Sequence, residues 1–217
     1  MSALRFDAWR IAFFAAGVLI LVGGPRHPRG AMVDMLQHHD WFMAHAIMVV
    51  ALLALTIGLA MLARVPGLSG NLRRWTNIAA VGAALEAIEM IVHTAASADA
   101  ANLAAGQSTP ILSTHLNMAL LIYPLFGVAI AVFMIKGMRE RAVGSPWIIW
   151  LGVIAAVCHA LVMPLVYIFE VWWAPILFPT IMLLGLWLVL SAVWPARVAL
   201  ADRLKPVPSE LPAAPAH

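Results

Sequence analysis

Charged side chains are scarce in this chain. Asp, Glu, Lys and Arg make up 11% of its 217 residues, whereas 64% are apolar, and an ordinary soluble domain is about a quarter charged. This composition excludes an ordinary soluble domain and predicts a protein of the lipid bilayer. Several spans of about 20 residues, joined by short loops, occupy the whole length of the chain. We therefore expect no separate soluble domain, and any chemistry must take place in or at the membrane.

Cysteine is also scarce, and several catalytic motifs are absent. The single cysteine, Cys158, lies inside an apolar run, so the chain has no intramolecular disulfide and no cysteine pair for a cluster or a thiol relay. The sequence contains no His-Glu-x-x-His, no Gly-x-Ser-x-Gly and no glycine-rich phosphate-binding loop. These absences disfavour the common hydrolase and nucleotide-binding classes.

Six apolar runs are long enough to cross a hydrocarbon core of about 30 Å. Tryptophans stand at the boundaries of four runs, as in the aromatic belts of membrane interfaces, at Trp41, Trp75, Trp147 and Trp173. The sequence therefore predicts an all-α, polytopic bundle of six transmembrane helices in one domain, residues 1–198. The expected spans are about 6–24, 41–62, 75–97, 113–135, 147–169 and 173–193. The first run also resembles a signal-peptide core, but residues 23–26 after it offer no small-x-small cleavage site, so we expect it to be retained.

The basic residues predict the orientation. If six spans alternate across the bilayer, all but two of the 13 Lys and Arg residues fall on one side, and the exceptions are Arg26 and Arg29. The positive-inside rule then places both termini in the cytoplasm, with a proline-rich, disordered cytoplasmic tail at residues 199–217. The expected location is a plasma or inner membrane. No basic patch is interleaved with aromatic residues, so the lipid bilayer is an expected partner and nucleic acid is not.

The third run contains ionisable residues, which are costly at membrane depth and normally face a protein interior or a water-filled cavity. At about 100° per residue, Glu86 and His93 share one stripe of a helix, with Glu89 about 60° to one side. All three side chains can therefore face one site. We predict that Glu86 and Glu89 are its catalytic carboxylates, with Glu86 as a proton partner and Glu89 as a ligand or as the group that orients a histidine.

Histidines on other spans lie at related depths. At a rise of about 1.5 Å per residue, His45, His93 and His115 lie about 3 to 6 Å from the outer boundary, while His159 lies deeper, with the two glutamates. Because neutral imidazole is a common ligand of transition metals, these four histidines are the predicted cofactor ligands. Together with Glu89 they suit a non-haem Fe, Cu or Zn ion, and two of them suit the axial positions of haem b. The spacing does not choose between the two cofactors.

The ionisable residues of the predicted spans lie mostly on the side away from the cytoplasm. On that side the connection 23–40 is also rich in groups that bind metals or protons.

The leading hypothesis is an outward-facing metal or haem centre with a redox or oxygen-linked role, in a membrane oxidoreductase or electron-transfer protein. Its expected partner is a quinone or a periplasmic or extracellular redox protein. One alternative is a small proton- or metal-coupled transporter or exporter that uses Glu86, Glu89 and His159. Another alternative is a non-catalytic membrane subunit of a larger complex.

Overall fold

Six long apolar helices account for most of the chain that the computed structural model describes, which is residues 7–140 and 142–194. These residues contain helices and no strand. Six helical segments are long and apolar enough to cross a membrane, which confirms the predicted six-helix architecture. The predicted tail and both termini lie outside the described residues. The long helices are α1 Ala8–Gly23, α2 Trp41–Leu62, α3 Gly70–Ala95, α4 Pro110–Arg139, α5 Pro146–Tyr167 and α6 Ile181–Val193.

Two helices begin before their predicted spans, because residues suited to a helix start precede the apolar runs. Helix α3 begins at Gly70 rather than near residue 75, since the Ser69 hydroxyl accepts a hydrogen bond from the Leu72 N–H at 3.1 Å. Helix α4 begins at Pro110, a residue suited to the first helical position because the N–H that it lacks would have had no helical partner. Hydropathy locates the apolar centre of a span but does not detect the residues at which a helix starts.

The last predicted span is not α-helical throughout. It begins as a 3₁₀-helix over Ala174–Thr180, which contains Pro179, and continues as α6. Proline lacks a backbone donor and crowds the preceding turn. The proline content therefore accounts for the irregular first half of this span.

The six helices form a closed ring in chain order. Each helix packs against the next, and α6 packs against α1. Glycine permits the closest approach at two of these contacts. A Cβ atom on Gly17 of α1 would lie 2.6 Å from the Gly185 carbonyl oxygen of α6, and one on Gly127 of α4 would lie 2.3 Å from the Ala156 carbonyl oxygen of α5. Such small residues let membrane helices pack backbone to backbone.

The two ends of the ring differ in their polar groups. At one end, Arg10 of α1 is buried and donates hydrogen bonds to the carbonyl oxygens of Ala192 at 3.0 Å and Trp194 at 2.6 Å. It thereby satisfies carbonyl groups at the carboxyl end of α6, which have no helical partner. We call the other end the histidine end: there α1, α3 and α5 finish and α2 and α4 begin. Two short helices, Met32–Gln37 and Ala100–Ala104, pack together there.

Candidate metal centre

Four imidazole rings meet at the histidine end. His45 of α2 and His93 of α3 have ring centroids 4.4 Å apart, and His93 stacks on His115 of α4 at 3.8 Å. The fourth ring is His27, from the connection between α1 and α2, which lies 4.7 Å from His45. The structure thus brings together the three histidines that the sequence placed in one layer, and adds one from a loop.

Three of these rings are held by a hydrogen bond from Nδ1. His27 Nδ1 lies 2.7 Å from the Pro28 carbonyl oxygen, and His45 Nδ1 lies 2.5 Å from that of Trp41. The corresponding partner of His115 is Glu89 Oε1. Because the carbonyl and carboxylate oxygens accept hydrogen bonds, each Nδ1 is the donor, and in the neutral form of each ring Nε2 keeps its lone pair. Metal-binding histidines are commonly oriented in this way, by a carbonyl or carboxylate on the nitrogen that does not bind the ion.

Burial lowers the pKa of His27 below its usual value of 6.5, against the opposing effect of its hydrogen bond to the Pro28 carbonyl. Nearby Arg29 lowers the pKa further. Both effects favour the neutral ring at pH 7. A neutral imidazole is the form that binds metals.

Several buried polar atoms at this end have no hydrogen-bond partner among the described residues. They are His45 Nε2, His93 Nδ1 and Glu89 Oε2. His45 is 1% exposed and Glu89 is fully buried. Since a buried polar group without a partner is unfavourable by about 1–3 kcal/mol, three such atoms in one place need an explanation. All three are atoms through which proteins bind metal ions.

The donor atoms form two groups with the spacing of a metal site. His27, His45 and His93 make the first, which we call the His27 group, and Glu89, His93 and His115 make the second, the Glu89 group. Within each group the donor atoms all lie within 4.8 Å of one another. His93 belongs to both groups, so the two are adjacent.

Trp41 forms a wall of this cluster. Its ring lies 4.1 Å from that of His45 and 5.1 Å from that of His93, and its indole N–H donates to the Thr94 carbonyl oxygen at 3.1 Å. The sequence predicted Trp41 as a residue of an aromatic belt. It does begin α2, but it is only 2% exposed and therefore packs inside the protein.

His159, a predicted ligand, is in neither group. Its Nε2 lies 2.9 Å from Glu86 Oε1 and donates a hydrogen bond to it, while its ring stacks on Tyr123 at 4.2 Å. Glu86 lies nine residues before the end of α3, or about 13 Å along the helix axis. The structure thus separates this deeper Glu86–His159 pair from the four rings at the histidine end.

A third group of donor atoms lies where α2 begins. It comprises His38, His39 and Asp40. The side chain of His39 is 83% exposed and that of Asp40 is 38% exposed. Water already solvates these groups, so unlike the buried atoms they give no structural reason to expect an ion.

His27 was not among the ligands predicted from the sequence. The available signal was its position in the connection 23–40, which is rich in possible donors. A loop has no fixed rise or period from which the position of a side chain can be calculated. Only the folded path of the connection brings His27 to His45.

Asp99 positions the start of α4, and hence His115. Its Oδ2 atom accepts hydrogen bonds from the backbone N–H groups of Ile111 at 2.7 Å and Leu112 at 2.9 Å. We predict that Asp99→Ala lowers the free energy of unfolding by about 1–2 kcal/mol, because it removes a helix cap. Thermal unfolding in detergent measures the loss. The matched control is Asp34→Ala at an exposed site, and equal melting temperatures for the two variants would contradict the prediction.

Comparison of the chain with family models, with curated proteins and with solved structures finds no match in any of the three.

Proposed function

We propose that this chain is a multi-pass membrane protein that binds a transition metal at its histidine end. The supporting observation is the set of buried, unpartnered atoms His45 Nε2, His93 Nδ1 and Glu89 Oε2. The residues that carry these atoms belong to groups with the spacing of metal ligands. One or more cations bound there would satisfy all three atoms, whereas hydrogen bonding within the described chain satisfies none of them.

The spacing of the rings favours a non-haem ion over haem b. Two axial imidazoles lie on opposite faces of a haem, with the iron and the flat macrocycle between them. Here His93 and His115 are stacked at 3.8 Å and His45 and His93 are 4.4 Å apart, which leaves no space for a macrocycle between either pair. Trp41 fills the adjoining volume. Fe, Cu and Zn all suit imidazole and carboxylate ligands.

The role that we propose is redox or oxygen-linked, with iron or copper as the ion. Basic residues at the opposite end support an outward-facing centre. Arg64, Arg73 and Arg74 flank the connection from α2 to α3 there, and Lys136 and Arg139 lie in the last turn of α4. By the positive-inside rule this end faces the cytoplasm of a plasma or inner membrane, with both termini on the same side. A quinone or a redox protein on the other side is then the proposed partner.

A second candidate function is proton- or metal-coupled transport. The observation that favours it is the Glu86–His159 pair, which lies far from either helix end. Glu86 is buried, His159 is partly buried, and Glu86 Oε2 has no hydrogen-bond partner among the described residues. Ionisable groups at such depth commonly belong to proton relays or transport pathways. Transport predicts weak, exchangeable metal binding and flux into proteoliposomes, whereas the redox role predicts a tightly bound, stoichiometric ion with a measurable potential.

Metal analysis of the detergent-purified protein tests the proposal directly. After expression in metal-replete cells, we expect at least one Fe, Cu or Zn ion per chain and no haem Soret band in the absorption spectrum. We expect His45→Ala to lower the metal content and Leu161→Ala, at a 47% exposed position on α5, to leave it unchanged. A metal-free wild-type protein would contradict the proposal, and a Soret band would contradict the choice of a non-haem ion.

A further inference from the structure

The five donor residues of the histidine end suit two adjacent ions better than one. Metal–ligand bonds of about 2.0–2.2 Å put the ligand atoms of one ion at most about 4.4 Å apart. The His27 group and the Glu89 group each approach this limit, since their donor atoms lie within 4.8 Å of one another. The five donors fall into these two groups rather than into a single one. Each group can therefore enclose one ion once its side chains turn to direct their donor atoms at it, which requires the stacked rings of His93 and His115 to rotate relative to each other.

His93 is the residue that the two groups share. Its ring lies between those of His45, at 4.4 Å, and His115, at 3.8 Å. His27 and His45 each use Nδ1 to donate a hydrogen bond to a carbonyl oxygen, which leaves one nitrogen for a metal. His115 Nδ1 instead bonds to Glu89, and an ion bound between these two side chains takes the place of the proton that they share. His93 differs, because its buried Nδ1 has no hydrogen-bond partner among the described residues. It is thus the ring in the cluster that is suited to binding through both nitrogens.

We propose that the histidine end holds a dinuclear metal centre, with His27 and His45 on one ion, Glu89 and His115 on the other, and His93 bridging them. This inference rests on the proposed function and specifies the number of ions. A bridging imidazole binds one ion through each nitrogen and releases its N–H proton to the solvent. The resulting negative charge adds to that of Glu89. Two anionic ligands then offset part of the charge that two buried cations introduce.

The test begins with the whole 217-residue chain, stripped by a chelator and titrated with Cu²⁺ in detergent. Elemental analysis after removal of excess ion is expected to give two copper ions per chain for the wild type. We expect one ion per chain for His27→Ala, which loses a ligand of the first ion, and one for His115→Ala, which loses a ligand of the second. Gel filtration and circular dichroism of each variant establish that it is folded.

Electron paramagnetic resonance provides a measurement that needs no variant. Two Cu²⁺ ions joined by one imidazolate couple magnetically, so the wild type is expected to give much less than two spins per chain at low temperature. His115→Ala, with one ion, is expected to give one full spin. Two uncoupled spins per chain in the wild type would contradict the bridge.

The outcomes separate this inference from the proposed function. One ion per chain in the wild type, lost equally in His27→Ala and His115→Ala, would overturn the dinuclear centre and leave a metal-binding protein. No bound copper at all would overturn both. The control is the double variant His38→Ala/His39→Ala, which removes the exposed group and is expected to retain two ions. Loss of the second ion in this control would also overturn the inference, because that ion would then belong to the exposed site.

Discussion

His159→Leu is expected to lower the free energy of unfolding by about 3–5 kcal/mol, because it leaves Glu86 buried without its partner. Glu86 is 1% exposed, and its Oε1 atom accepts the hydrogen bond from His159 Nε2 at 2.9 Å. Its Oε2 atom already has no hydrogen-bond partner among the described residues. The variant therefore removes a known partner of a carboxyl group that water does not reach. Denaturant titration of the protein in mixed micelles measures the change.

A double variant distinguishes the loss of the pair from the loss of packing. Glu86→Leu/His159→Leu replaces both polar groups by apolar ones, and buried ion pairs replaced in this way are often neutral in stability or better. We expect the double variant to recover most of the stability that His159→Leu loses. If the double variant is instead as unstable as the sum of both single variants, the two residues act independently and the pair is not the cause.

The same variant also separates His159 from the metal centre. His159 belongs to neither group of donor atoms, and its ring stacks on Tyr123 instead. The sequence predicted it as a ligand because its depth matched that of the glutamates. Depth alone could not show which neighbour it would contact, since that depends on how α5 is rotated against α3. A His159→Leu protein that remains folded is accordingly expected to keep the wild-type metal content.

The parts of the fold that were predictable follow from constant helix geometry. Helix α2 matches its predicted bounds, because its apolar run begins at Trp41 and ends where the chain turns. The common layer of His45, His93 and His115 followed from alternating spans and a fixed rise per residue. Closure of the ring by α1 and α6 did not follow, because it depends on glycine contacts such as that of Gly17, which have no periodic signal.

Side-chain partners were less predictable than depth. Arg10 counted only as one of the basic residues that predict orientation, whereas it is buried and donates hydrogen bonds to the carbonyl oxygens of Ala192 and Trp194 at the end of α6. Trp41 has the sequence position of an interfacial residue but packs against the histidines. Both residues combine an apolar body with a polar group, so sequence alone fits an interface and an interior equally well. What surrounds each side chain depends on how the neighbouring helices pack against it, and not on the sequence of the helix that carries it.

Metal affinity is expected to fall about 100-fold in Glu89→Gln and to change less than about tenfold in Glu86→Gln. Glu89 Oε1 holds His115 in place, and Oε2 is free of hydrogen bonds within the described chain. Glutamine keeps the size of the side chain and one oxygen that can accept a hydrogen bond from His115, but it removes the negative charge that attracts a cation.

Glu86 is a matched control, because it is on the same helix, is equally buried and belongs to neither group of donor atoms. Competition with a chromophoric chelator at fixed pH measures both affinities. A loss of the same size in the two variants would contradict the role of Glu89 as a ligand. It would show that metal binding depends on buried negative charge in general and not on a carboxylate that contacts the ion.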